Sequence, residues 1–309
     1  MSPGDAGLLD DLTEALGRSD SMAAAASAGD HELLAGLAEA VDAARYWQEP
    51  DETDALLVLP SVHAALRPVA DELCKTVAAS WWSSLMAPDR QCYVQWTDEQ
   101  KLKPPGLTGA AGNLGRWRDA TLADERQAAE RPRDPAAPWS GQWWSTPALS
   151  DLVTTTRSLG GLGAAKLMFV EDSLGWKRAR VWPLKPAAGS RIYEITGPTA
   201  WTDLVANYPM NVSLSKRHDW WRTTGIDRTW LMPDWSAVAS DYDAVHLTTV
   251  GYLSTAGRAL SVGNSGTVLA GWNPDETYWL ADVLSQAAPS SEWQSVESLP
   301  PGWTLSNKD

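Results

Sequence analysis

The chain has 309 residues, 44% of them hydrophobic, which is enough apolar material to bury one large core or two moderate ones. Its formal charge of −14 and isoelectric point near 4.7 speak against bare nucleic acid or an anionic membrane as a partner, because phosphate binding needs clustered lysine and arginine to release counterions. Two cysteines, Cys74 and Cys92, have no paired spacing and no neighbouring histidine, which excludes a disulfide framework and a zinc knuckle and predicts two reduced, buried thiols.

Asp5, Asp10, Asp11 and Glu14 stand where a secretory signal would be basic, and no apolar run approaches the ~18 residues of a membrane span, so a cytoplasmic protein is expected. Asp30 is placed to cap a helix whose apolar positions Leu34, Leu37, Val41 and Ala44 recur at three and four, ending near Pro50. A second helix runs through Val62, Leu66, Val69, Leu73 and Val77 into Trp81 and Trp82, with a kink expected at Pro68. Cys92, Val94 and Trp96 alternate with Gln91 and Gln95, the period of a half-buried strand. Residues 101–138 then change character, with Pro104, Pro105 and four glycines before a charged helical stretch and Pro132, Pro135 and Pro138 after it; they read as a linker or a long excursion.

From 139 onward short apolar runs alternate with short helices. Strands over 166–171 and 176–183 are expected to form a hairpin around 172–175, followed by a strand over 191–195. Gly197-Pro198 starts a helix with Trp201, Leu204, Val205 and Tyr208 on one face, which Pro209 ends. Asp234 caps a helix over 235–242; strands follow over 244–250 and 267–271, and Asn273-Pro274-Asp275-Glu276 carries the marks of a helix start. The glycines of 158–166 lie ahead of an expected strand, where a phosphate cradle should follow one, and read as a helix C-terminal cap. The fold class is therefore α+β (or α/β): a helical part over 1–100, the linker or excursion over 101–138, and a mixed-sheet domain with short helices over 139–309.

No P-loop, His-Glu-x-x-His, Gly-x-Ser-x-Gly or Cys-x-x-Cys motif is present, and no metal site is expected. The aromatic balance is unusual: nineteen tryptophans against the single Phe169, five of them in residues 1–138 and fourteen in 139–309. That directs the search for a site to the C-terminal part, since tryptophan supplies large flat contacts with one polar tip. His31 and His63 read as structural or exposed. His246 lies on a strand with Asp243 at its entrance, an arrangement that suits an acid-oriented general base. Lys216-Arg217-His218-Asp219-Trp220-Trp221-Arg222 concentrates positive charge beside two indoles, so Arg217, His218, Trp220 and Trp221 are the candidate anion-binding residues, with the indoles stacking on a base or ring.

Arg191 opening Arg-Ile-Tyr-Glu-Ile, Ser254-Thr255 in Gly-Tyr-Leu-Ser-Thr-Ala-Gly and Glu276 in Pro-Asp-Glu-Thr-Tyr follow one another in an order that resembles the mono-ADP-ribosyltransferases. The pattern departs at Ala256, where the family has a second serine, and at Pro274, where it has Glu or Gln. The resemblance implies NAD as substrate, held by Arg191, Ser254 and Thr255, with Glu276 facing the positive charge that develops as nicotinamide leaves. Together these readings give a transferase or hydrolase acting on a nucleotide-like or other anionic small molecule, with Glu276, His246 and Asp243 as catalytic candidates. The alternative is a non-enzymatic acidic protein that binds a basic partner, such as a toxin or enzyme it neutralises.

Overall fold

The computed structural model describes residues 29–96, 103–148, 151–171, 173–296 and 302–306; the acidic first segment and Asp172 lie outside them. Helix α1 (Asp30–Asp42) buries Leu34, Leu37 and Val41, as their spacing predicts, with Gly29 as its N-cap. It stops at Asp42 rather than near Pro50, because the chain turns to bring Tyr46 and Trp47 against the C-terminal part: Thr223 Oγ1 donates to Tyr46 O at 2.5 Å. Helices α2 (Glu52–Leu57) and α3 (Pro60–Leu73) follow, the latter carrying Pro68 and ending well short of Trp81. Cys74, just past its end, is exposed rather than buried; Cys92 is buried, which pushes its thiol up to about 11.

Strand β1 (Gln91–Trp96) is a central strand of the main sheet, paired with β2 (Thr154–Arg157) and β3 (Arg178–Pro186). Between β1 and β2, helix α4 (Ala110–Gln127) buries Leu114 and Trp117 in the common core. The elements after β3 are β4 (Ile192–Ile195), α5 (Pro198–Asn207), β5 (Pro209–Asn211), α6 (Arg217–Thr224), β6 (Leu231–Pro233), α7 (Trp235–Asp241), β7 (Ala244–Leu247), α8 (Thr249–Thr255), β8 (Leu260–Val262), β9 (Ser265–Thr267), β10 (Glu276–Trp279), β11 (Leu284–Gln286), β12 (Ser291–Ser295) and β13 (Trp303–Leu305). The nine-stranded sheet runs β13-β12-β3-β1-β2-β10-β7-β4, with β11 on β3. Among the described residues only β4 and β7 pair in parallel within it, and α5, α6 and α7 lie in their long connection. The fold is α+β, a helical first part followed by a large mixed sheet, and no described helix is long and apolar enough to cross a membrane.

Several local expectations yield to tertiary packing. The hairpin over 166–183 does not form. Ala165–Leu167 is a 3-10 turn fixed by Lys166 N donating to Thr156 Oγ1 at 3.1 Å, and Phe169 is fully buried against Trp81. The glycine run follows β2 instead of preceding a strand, and Gly160–Leu162 is a 3-10 turn rather than a helix cap. The strand expected over 244–250 ends at Leu247, because the Thr248 hydroxyl accepts from Gly251 N at 2.9 Å and caps α8. The strand expected over 267–271 is β9, ending at Thr267. Asn273–Glu276 opens no helix. Both Asp275 carboxylate oxygens are taken by Arg157, and the run Thr277, Tyr278, Trp279, Leu280 is buried throughout, the signature of an interior strand.

Tryptophan builds much of the core. Trp201, Trp235 and Trp272 meet with ring centroids 5.6–6.5 Å apart, and Trp220 meets Trp230 edge-on at 5.3 Å. A tighter constraint lies where α8 crosses β4: a Cβ on Gly251 would sit 2.2 Å from Ile195 O and 2.9 Å from Thr248 Oγ1. Gly36, within α1, has nothing within 4 Å of the same position. Gly251→Ala should therefore cost about 1–3 kcal/mol by forcing helix and strand apart, while Gly36→Ala should gain about 0.5–1 kcal/mol. Urea unfolding of the two variants checks this; equal midpoints would contradict it.

Candidate functional site

The charged segment singled out in the sequence is helix α6 and its lead-in, and nearly all its donors are spent on backbone. Lys216 Nζ donates to Trp144 O at 2.8 Å and also to Gln142 O; Trp220 Nε1 donates to Trp143 O at 2.7 Å; Arg222 Nη2 donates to Trp139 O at 2.5 Å and its Nη1 to Trp47 O at 3.2 Å. Asp219 accepts from Gly141 N at 3.0 Å. Arg217 donates to Pro132 O at 2.6 Å, and His218 Nε2 lies 3.1 Å from the same carbonyl. Burial and the Arg217 charge hold the His218 imidazole below its usual range, and burial pulls the Lys216 ammonium down to about 8. These cations face carbonyl groups, so the segment is a clamp on residues 132–144 rather than an open anion site; Trp220 is fully buried and Trp221 partly exposed.

The clamp shapes a groove. Trp47, Trp143, Trp144 and Trp176, with Ala148, Val170, Glu171, Leu174, Gly271 and Asn273, line an open cavity of about 460 Å³. Trp47 and Trp143 lie 4.6 Å apart at 37°, Trp143 and Trp144 meet edge-on at 5.9 Å, and Trp176 is stacked on Trp96 at 4.7 Å. The opposite wall requires glycine: Gly271 has φ 74°, and a Cβ there would lie 2.6 Å from Trp144 Cβ. Ser145 completes the wall, its N donating to Ala270 O and its Oγ accepting from Ala270 N, both at 3.0 Å.

Among the described residues, Glu171 is the one ionisable residue of the lining. Its backbone N donates to Asn273 Oδ1 at 3.1 Å, and its carboxyl accepts from the Tyr252 hydroxyl at 3.0 Å, with the Tyr46 hydroxyl 3.5 Å beyond. Burial raises the carboxyl to about 8, with the nearby Glu276 adding to the rise and the Tyr252 hydrogen bond opposing it. Near neutral pH it is an acid that can donate a hydrogen bond; once ionised, it can face a cation. Sequence reasoning missed Glu171 because it was assigned to a hairpin strand, and missed Trp47 because its partners are more than ninety residues away. The acidic turn signal Glu171-Asp172-Ser173 between Phe169 and Trp176 was the available clue.

The remaining candidates fall at separate places. Thr277 pairs with His246 and His246 with Glu194, so these side chains share one face of the sheet, and Glu276, the neighbour of Thr277, projects from the other. His246 is not oriented by Asp243. Its Nδ1 lies 2.6 Å from Glu194 Oε2 and its Nε2 3.3 Å from Asp275 Oδ1. Burial alone would lower this imidazole, but its hydrogen bonds to Asp275 and Glu194 outweigh it and the net shift is upward. Arg157 closes the row through Asp275 and reaches Ser84 O and Leu85 O, while Glu194 accepts from Met86 N. The network pins residues 84–86.

Asp243 instead pairs with Arg191, whose hydrogen bond holds the Asp243 carboxyl below its usual range. Arg191 lies two strands from Glu276 and four positions along the sheet, roughly 13 Å in the strand direction at ~3.3 Å per residue. Ser254 and Thr255 are on helix α8, not a strand; Ser254 Oγ donates to Val250 O at 2.7 Å and Thr255 is buried. Glu276 is ion-paired to Lys166 and accepts from Asn273 Nδ2 at 2.9 Å, which ties it to the rear of the groove. Among the described residues no cluster of three or more His, Cys, Asp or Glu is placed to hold a metal ion.

No protein-family model matches the chain, and neither a curated protein nor a solved structure does. The likeness to ADP-ribosyltransferases therefore remains one of residue order.

Two expectations follow for the clamp and its acid. Trp220→Phe leaves the Trp143 carbonyl without its donor and should cost about 1–3 kcal/mol while loosening the groove; unchanged urea stability and unchanged indole emission would argue against the clamp. In the folded chain Glu171 keeps its proton up to about pH 8, against 4.5 ordinarily. Its contribution to stability is therefore fully present below pH 4.5 and is lost as pH rises through 8. Melting temperatures measured across pH 4–9 should show that decline in the wild type and a flatter curve in Glu171→Gln.

Proposed function

We propose that the protein binds a small molecule by seating a planar or apolar ring face between the indoles of Trp47, Trp143, Trp144 and Trp176. The observation that carries this reading is the groove itself: of its four partly exposed tryptophans, Trp47, Trp143 and Trp144 are held through their carbonyls by donors from α6 and its lead-in, and Trp176 is stacked on Trp96, an investment that core packing does not require. A cavity of about 460 Å³ suits a compact ligand.

Among the described residues the groove lining contains no lysine, arginine or histidine, and its one ionisable group is an acid. A nucleotide phosphate would meet Glu171 with nothing to neutralise it, so the geometry favours neutral or positively charged ligands over NAD and other anions. If the protein is an enzyme acting in this groove, Glu171 is the residue positioned to exchange a proton with the ligand, and a hydrolase or transferase of uncharged or cationic substrates fits better than one of nucleotides.

The test is a panel of indole, adenine and glucose-type ring compounds set beside NAD and nucleotide phosphates, with binding followed by tryptophan fluorescence. Ring compounds without phosphate should change the emission, the nucleotides should not, and Trp143→Ala should weaken binding by about tenfold. Flat titrations for every ring compound would overturn the reading.

A further inference from the structure

We infer that the ligand is an organic cation, an alkylated ammonium group seated on the indole faces with its charge towards the Glu171 carboxyl. The inference rests on the groove reading above and specifies its ligand class. It starts from a contrast among the acids of the structure. Asp275 is paired with Arg157, Glu276 with Lys166, Asp219 with Arg222 and Asp243 with Arg191. Glu171 has no such partner: its carboxyl meets the Tyr252 hydroxyl and the Gly271 backbone, and no ion pair to it exists among the described residues.

The position a cation would fill is bordered by aromatic faces. Indole is the strongest cation–π partner among the side chains, and an alkylated ammonium loses less hydration on entering such a site than a bare one. The same preference operates elsewhere in this chain, where Lys216 Nζ lies 5.8 Å from the Trp144 ring centroid and Arg131 5.5 Å from that of Trp139. Lys216 approaches Trp144 while bonded to its carbonyl, so that lysine is committed to the clamp, and the groove lining supplies no cation of its own. The chain's charge of −14 adds a general attraction for cations.

A cation also accounts for the state of the acid. The titratable groups that face Glu171 are Tyr252 on α8, Tyr46 after α1, and Glu276 on β10, the last tied to Lys166. None offers it a positive charge, and the free carboxyl stays protonated near neutral pH. A bound cation favours the ionised form, with the Tyr252 hydroxyl already donating to it, so binding releases one proton to solvent. Below about pH 8 affinity should rise with pH, by up to tenfold per unit, and level off above it.

The experiment compares choline with its uncharged isostere 3,3-dimethylbutan-1-ol on the full chain, by tryptophan fluorescence and calorimetry at pH 6, 7, 8 and 9. Choline should bind at least tenfold more tightly at pH 8, its affinity alone should rise with pH, and calorimetry in buffers of different ionisation enthalpy should show proton release. Glu171→Gln, which keeps an acceptor for Tyr252, should bring the two affinities together and abolish the pH dependence. Equal affinities in the wild type would overturn the cation inference and leave the ring groove standing. Failure of both probes would also overturn it, and the ring-compound panel then decides the groove reading separately.

Discussion

The carbonyl groups of residues 142–145 belong to no helix or strand, yet they lie against the core, and a buried carbonyl without a donor costs on the order of 1–3 kcal/mol. Every one of them is met by a side chain: Gln142 and Trp144 by Lys216, Trp143 by Trp220, and Ser145 by Trp235 at 3.0 Å. Two of the three donors are indole N–H groups, and the third is a lysine whose own charge is expensive to bury. The groove depends on this arrangement, because Trp143 and Trp144 face outward only while their backbone is held from behind. Gly271 and Ser145 complete the support from the opposite side.

The sheet keeps two kinds of polar chemistry apart. On one face, Glu194, His246, Asp275 and Arg157 form a closed row in which both His246 ring nitrogens and both Asp275 oxygens are used. On the other, Lys166, Glu276 and Asn273 lead towards Glu171. The strand period of two assigns neighbours in sequence to opposite faces, so Asp275 and Glu276, adjacent in the chain, serve different networks. Asp275 adopts φ 58°, a conformation that aspartate tolerates better than most residues, and the turn lets its carboxylate reach Arg157 before β10 begins. The buried row fixes residues 84–86; the groove side retains a carboxyl with no cation.

The helices with clear caps and periodicity were legible from sequence. Gly197-Pro198 does open α5, with Trp201, Leu204 and Val205 buried, and Asp234 does cap α7 through Ser236 N and Ala237 N. Leu34, Leu37 and Val41 face the core as spaced, and Cys92, Val94 and Trp96 lie on a strand. What was not legible depends on distant partners. The Asn273–Glu276 segment carries every local mark of a helix start, and only Arg157, more than a hundred residues away, makes it a turn into a strand. The charged run 216–222 was correctly picked out as the place where positive charge concentrates. Its targets were invisible, because backbone carbonyls leave no trace in a sequence. Trp47 is followed by polar residues in the helical part, and nothing in its neighbours indicates that it packs against Trp143.

The excess of tryptophan thus divides by the fate of the indole N–H. Trp220, Trp235, Trp272 and Trp279 are fully or nearly fully buried and donate to Trp143 O, Ser145 O, Glu276 O and Thr155 Oγ1, so each joins apolar packing to a polar tie that phenylalanine could not make. That use explains these four indoles; the fully buried Trp201 and Trp230 contribute packing, their indole N–H groups meeting no acceptor among the described residues. The groove tryptophans, 47, 143, 144 and 176, remain partly exposed, and no hydrogen bond from their indole nitrogens fixes them among the described residues. Their backbones or ring stacks hold them in place, which leaves ring faces and N–H groups turned to whatever occupies the groove. The same residue type is therefore used in two ways: as a donor that locks the scaffold, and as a surface that the scaffold presents.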